Sequence, residues 1–258
     1  MSIMLEQDID NRMLEIIYPI AVGESDKQYY LKPAAMLNYM QDIAAKGINH
    51  YDPRYCWDEL YKKGRGWFLT RYRIEFDQYP LQVSEIRMIT ESRGCYRMNA
   101  YRDFEAYDNI TGNLLMRAAS SWLMVDLENK SILNIHNEYP DFPLFEKRED
   151  DLSLSKVRSF DEPDSEKLFH VRYDDLDINN HVNNTVYITW AMEALDYDFR
   201  ASHLLKSLDI NFKHEVGYGE DVISQVKYDR DNLVTEHIVK SARTGEELCI
   251  IRAEYTKI

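Results

Sequence analysis

The chain reads as one structural unit written twice. In the first half, residues 32–47 carry Met36, Leu37, Met40, Ile43 and Ala44 at three- and four-residue steps, the spacing of a buried helical stripe. Pro33 suits the first turn of that helix and Gly47 its C-terminal cap. Residues 67–76, 83–91, 96–107 and 114–126 follow as strand-like segments, rich in aromatic and β-branched side chains and broken by Pro80, Gly94, Asn109 and Gly112. The second half repeats this order. A helix starts at the capping pair Asn183 and Asn184 and runs through Tyr187, Trp190, Ala191, Ala194 and Leu195. Strand-like runs follow at 207–213, 221–228, 233–242 and 248–256. Laid over each other, the halves bring Ile74-Glu75-Phe76 opposite Ile210-Asn211-Phe212. A long helix followed by antiparallel strands able to wrap it, present twice, predicts an α+β architecture. Residues 136–166 hold Pro140, Pro143, Pro163 and a charged run, so they read as a linker or irregular crossover between domains 1–135 and 167–258.

Charge and composition exclude several classes of function. A net charge of −14 argues against nucleic acid, whose phosphates require a basic surface, and against a basic helix lying on a membrane. No apolar run approaches the ~20 residues that span a bilayer, and residues 1–8 lack the positive and apolar regions of an export signal. Cys56, Cys95 and Cys249 are odd in number and far apart, which fits a reducing, cytoplasmic setting. With no CxxC and no metal-ligand spacing among the histidines, no metal and no cofactor is expected.

One segment carries more chemistry than the rest. Residues 175–190 are polar, lead straight into the second helix, and alternate Asp177, Asn179 and His181, which share a face if the backbone is extended. The helix start offers N–H groups and a positive dipole end, suited to an oxygen that gains negative charge. On composition alone the plainer reading is preferred: a polar loop that caps a helix, with His181 hydrogen-bonded within it.

Asp177-x-Asn179-x-His181-Val182-Asn183-Asn184, followed by Tyr187-Ile188-x-Trp190, closely resembles the signature of the plant and bacterial fatty acyl-acyl carrier protein (ACP) thioesterases. The resemblance covers essentially the whole chain, although only this segment is specific. It implies two tandem hot-dog domains, each a long helix wrapped by an antiparallel sheet, and hydrolysis of fatty acyl-ACP to free fatty acid. It places Asp177, Asn179 and His181 in the active site with Glu215, and an acyl pocket in the first half. Plant members often have a cysteine directly after that glutamate; Val216 stands here and excludes a cysteine nucleophile at this position.

The favoured mechanism has Glu215 as general base toward water. Asn179 positions water or substrate, His181 holds Glu215 or donates to the leaving thiolate, and N–H groups near Asn183 to Thr185 stabilise the oxyanion. Asp177 orients Asn179 and His181 or caps the helix. Direct attack by Asp177 or Glu215 through an anhydride stays open.

Overlaying the halves pairs Asp177, Asn179 and His181 with Asp26, Gln28 and Tyr30, and Glu215 with Tyr79, so the first half lacks the catalytic set. Met36, Met40, Trp67 and Leu69 are candidate acyl-pocket lining, with plain core an equal reading for each. Lys62, Lys63 and Arg65 are candidates for docking the acidic carrier protein, against the alternative of a solvated loop. The competing functions are acyl-CoA thioesterase, hot-dog hydroxyacyl-thioester dehydratase and acyl sensor; the matched residues favour hydrolysis. A monomer and a homodimer both fit.

Overall fold

The computed structural model describes residues 11–81 and 85–258, so the N-terminal segment 1–8 and the expected start of a strand at Val83 lie outside the described residues. The chain forms two compact units, the first running to Leu154 apart from Pro33–Ala35, and the second made of Ser155–Ile258 with Pro33–Ala35.

In the first unit β1 (Met13–Pro19) precedes helix α1 (Pro33–Tyr51) and the short α2 (Trp57–Lys62). Then come β2 (Arg65–Phe76), β3 (Glu85–Tyr96), β4 (Asn99–Asp108), β5 (Leu114–Asp126), the two-residue β6 (Ile132–Leu133) and α3 (Ile135–Glu138). The sheet order is β1-β3-β4-β5-β2, antiparallel throughout. Met36, Leu37, Met40 and Ile43 of α1 are almost wholly buried, as the stripe requires. Each such side chain contributes roughly 1.5–3 kcal/mol through burial.

The second unit holds β7 (Ser165–His170), α4 (Asn184–Ala194), α5 (Tyr197–Ser202), β8 (His203–Phe212), β9 (Asp221–Asp229), β10 (Val234–Ser241) and β11 (Glu247–Lys257). Its order, β7-β9-β10-β11-β8, is that of the first unit, again antiparallel. Helix α4 packs on β7, β9 and β10. Each unit is therefore a helix against a five-stranded antiparallel sheet. The edge strands β1 and β7 escaped the sequence reading. β7 is exposed along nearly its whole length, so it has no alternating apolar face to betray it.

Three local expectations are corrected. Gly47 does not cap α1, which runs on to Tyr51. The glycine instead makes room for the buried Arg102 of β4: a Cβ there would stand 2.9 Å from Arg102 Nη1 and 3.0 Å from Thr90 Cγ2. Gly94 does not separate two strands but lies within β3 at an irregularity, with φ +84°. The third is the end of the first domain at 135: residues 136–154 of the expected linker or crossover pack on the first unit. Ile135, Tyr139 and Phe142 join a core with Tyr55, Leu60 and Met124. Farther along, Arg93 binds the carboxylates of Asp103 and Asp151 and the Glu146 carbonyl, and Arg148 grips Glu91 through two bonds of 2.7 Å. Proline marked irregular backbone there; buried aromatic and charged side chains hold it down.

The core of the second unit contains an ionisable group that folding disfavours. His237 on β10 is fully buried, its Nε2 lies 2.7 Å from Thr235 Oγ1, and its Nδ1 has no partner among the described residues. Burial lowers its pKa from 6.5 to about 3. Between those values the unfolded chain binds a proton that the folded chain refuses, so stability falls as pH drops below 6.5. His237→Leu is expected to flatten the acid limb of the stability curve by up to about 1.4 kcal/mol per pH unit. Urea titrations between pH 7 and pH 4 measure this, and equal slopes in the two proteins would refute it.

Candidate active site

The loops before α1 and α4 are built by the same bonds. In the second unit Asp175 Oδ2 accepts from the Arg172 N–H (2.8 Å), closing the turn Tyr173–Asp175. The Asp177 N–H donates to the His181 carbonyl (2.8 Å) and the Asn180 N–H to the Asp177 carbonyl (3.0 Å). Asp177 Oδ1 in turn accepts from the N–H of Asn179 (2.8 Å) and, more weakly, of His181 (3.4 Å). Two longer-range bonds anchor the loop: Asn183 N–H to Asp175 O (2.8 Å) and Val182 N–H to Val216 O (3.0 Å).

In the first unit Glu24, Asp26, Tyr29, Tyr30, Leu31, Lys32 and Pro80 reproduce this pattern. Even the left-handed residue recurs, Tyr29 at φ 67° and Asn180 at φ 63°. The internal overlay made from sequence is thus matched bond for bond in the backbone.

This geometry corrects the extended reading of residues 177–181. They form a tight turn, and the Asp177 carboxylate faces its own loop, taking a further bond from Asn179 Nδ2 (3.2 Å). Because Asp26 does the same work in the first unit, the aspartate builds the turn. It does not cap α4; Asn183 does, through Oδ1 to the Thr185 N–H (2.9 Å). Of the three amides expected to face a substrate carbonyl, those of Asn183 and Thr185 already donate within the chain.

On this equivalent scaffold, the two loops differ at the positions that could carry chemistry. His181 replaces Tyr30 and Glu215 replaces Tyr79. In the first unit these positions hold two rings edge to face, centroids 6.0 Å apart. In the second, His181 Nδ1 stands 3.3 Å from Glu215 Oε2. That is charge-pair distance but not hydrogen-bond alignment, since the enclosed Nδ1 has no aligned acceptor. Both side chains keep more than a third of their surface exposed, so water and substrate reach them. Asn179 is exposed on the same turn. A carboxylate beside an imidazole, both open to solvent, can remove a proton from water and return one to a leaving group.

The other candidates sit elsewhere. Met36, Met40 and Leu69 are buried in the first unit, and Trp67 is half-buried there, its Nε1 donating to the Tyr55 carbonyl (2.9 Å). Lys62 pairs with Glu59 (2.6 Å), Arg65 with Glu138, and Lys63 lies over the Tyr139 ring, so this basic cluster is engaged locally. Burial raises the thiol pKa of Cys95 to about 11 and that of Cys249 still further, which keeps both protonated and poorly nucleophilic. Among the described residues no group of side chains is arranged to hold a metal ion, and no helix is long and apolar enough to cross a membrane.

Comparison with known proteins agrees with this layout. Family models match residues 12–142 as an acyl-ACP thioesterase N-terminal domain and residues 158–257 as an acyl-ACP thioesterase C-terminal domain. Oleoyl-acyl carrier protein thioesterase 1 of Arabidopsis thaliana is 30% identical over 162 residues, covering 58% of this chain and 44% of the relative. Oleoyl-acyl carrier protein thioesterase 2 of the same organism is 28% identical over 185 residues, covering 67% and 50%. The chain thus spans about half the length of the curated relatives it matches.

Two solved structures share the fold. The 12:0-ACP thioesterase from Umbellularia californica superposes with a TM-score of 0.83 at 18% identity, covering 98% of this chain and 100% of that one. An acyl-ACP thioesterase from Bacteroides thetaiotaomicron gives 0.81 at 20% identity, covering 95% and 98%. The expected pair of hot-dog domains is therefore the fold of this protein. With both domain models matched in order along it, the chain belongs to the acyl-ACP thioesterase family.

Proposed function

We propose that the protein hydrolyses the thioester of fatty acyl-ACP, releasing free fatty acid and so ending chain elongation. The observation that carries the reading is the His181–Glu215 pair, 3.3 Å apart and open to solvent, on a scaffold whose sister copy has two tyrosines instead. Glu215 takes a proton from water as the water oxygen attacks the thioester carbon. The resulting tetrahedral species collapses, the C–S bond breaks, and the proton passes to the thiolate of the carrier's prosthetic arm, directly from Glu215 or by way of His181. Asn179 positions the attacking water or the substrate. Met36, Met40, Trp67 and Leu69 retain their proposed role as acyl lining, and Lys62, Lys63 and Arg65 theirs as a carrier contact. The family, and relatives that are oleoyl-acyl carrier protein thioesterases, support ACP as the carrier.

The test is thiol release from acyl-ACP and acyl-CoA substrates of 8 to 18 carbons, with His181→Ala in parallel. Preference for acyl-ACP and a fall of about 10²-fold or more in kcat for the variant are expected. Preference for acyl-CoA would transfer the same chemistry to another carrier. Hydrolysis unchanged in His181→Ala would remove the histidine from the mechanism.

A further inference from the structure

Two loops with matching backbones allow each added side chain in one copy to be weighed against its absence in the other. At the fourth position of α4, beneath the site, stands Tyr187; its counterpart in α1 is Met36. Both are buried, at 2% exposure each, so the fold accepts either shape. The difference is the phenol oxygen. It donates to the His214 carbonyl, a long bond of 3.5 Å, and the Val216 N–H is near enough to act on it. Those two groups flank Glu215.

The first unit explains why it manages without a phenol. Pro80 occupies the place of Val216 and has no N–H to satisfy, and Tyr79, in the place of Glu215, fastens itself by donating to the Leu31 carbonyl (2.8 Å). An exposed glutamate leaving the end of a strand has no such means of holding itself.

We infer that Tyr187 is a positioning residue for Glu215, its phenol clasping the peptide groups on both sides of the glutamate and so holding the carboxylate against His181. The ring is itself held by edge contacts to Trp190 and Phe212, with centroids 5.5 and 6.0 Å away. Burial keeps the phenol protonated across any working pH, so it acts as a fixed clasp and not as an acid or base. The inference rests on the reading of Glu215 as the base.

The test is a double-mutant cycle on acyl-ACP hydrolysis, combining Tyr187→Phe with Glu215→Gln. Phenylalanine keeps the ring and its contacts and removes only the oxygen. Tyr187→Phe is expected to lower kcat on the order of 10- to 100-fold with little change in KM, the cost of a misplaced catalytic group. In the Glu215→Gln background, where no base remains to be positioned, the same substitution is expected to change the residual rate by less than about twofold. Tyr187→Met, copying the sister helix, replaces the phenylalanine variant if that one fails to fold. An unchanged kcat, or an equal loss in both backgrounds, overturns the inference. If Glu215→Gln alone hydrolyses at the wild-type rate, the assignment of the base falls and this inference falls with it.

Discussion

Glu215→Gln is expected to lower kcat for thioester hydrolysis by about 10²- to 10⁴-fold while KM stays close to the wild-type value. The amide has the size and shape of the carboxylate and can still contact His181. What it lacks is a basic oxygen: no proton can be taken from water as the C–O bond forms. Because Glu215 is exposed and its contact with His181 is not an aligned hydrogen bond, the substitution leaves no buried group stranded, and stability is expected to hold. Thiol release under single-turnover conditions is the measurement, since it isolates the chemical step from product release. A variant with wild-type single-turnover rate would end the case for Glu215 as base. Combining Glu215→Gln with His181→Ala is expected to cost little more than the larger single effect, because the two groups act on one proton.

The second large effect is on stability. Gly94→Ala is expected to destabilise the first unit by about 3 kcal/mol. Part of this, roughly 1–2 kcal/mol, is the left-handed backbone at φ +84°, which an L side chain resists. The rest comes from what covers the glycine. A Cβ there would stand 2.6 Å from the Pro143 carbonyl oxygen and 2.7 Å from that of Leu144, backbone atoms that cannot rotate away. Residues 143–145 would have to lift, breaking the bonds Cys95 N–H to Pro143 O (2.8 Å) and Phe145 N–H to Cys95 O (2.9 Å). Each contributes about 1 kcal/mol. Gly112→Ala is the control: its φ of +75° is also left-handed, yet nothing lies within 4 Å of the added carbon. The measurement is urea unfolding followed by tryptophan fluorescence, which is weighted to this unit because Trp57, Trp67 and Trp122 belong to it. Equal shifts in midpoint for the two variants would show that residues 143–145 do not press on Gly94.

The duplication was legible because it is written in local chemistry. The stripe in α1, the capping pair before α4 and the turn residues between strands each depend on neighbours a few positions away. The loop at residues 175–183 was legible as a polar segment leading into a capped helix, but not as the tight turn that its aspartate builds. Glu215 was reached through the family resemblance, and laying Ile74-Glu75-Phe76 over Ile210-Asn211-Phe212 then places it opposite Tyr79. By itself, then, the sequence determined two helix-and-sheet units in tandem and that the set Asp177, Asn179, His181 and Glu215, implied by the family resemblance, stands in the second.

What tertiary structure decided are the relations between residues remote along the chain. Nothing local to Gly47 announces the Arg102 guanidinium beneath it, so the glycine read as a cap. Nothing local to Gly94 announces the segment lying over it, so it read as a break. β7 showed no pattern because it buries almost nothing, and only its pairing with β9 makes it a strand. In the site, the approach of His181 to Glu215 and the hold of Tyr187 on the peptide after β8 both follow from how α4 seats against the sheet. Turn and cap preferences are properties of a few adjacent residues, whereas register and packing are settled by the cooperative burial of whole faces, which no short window of sequence contains.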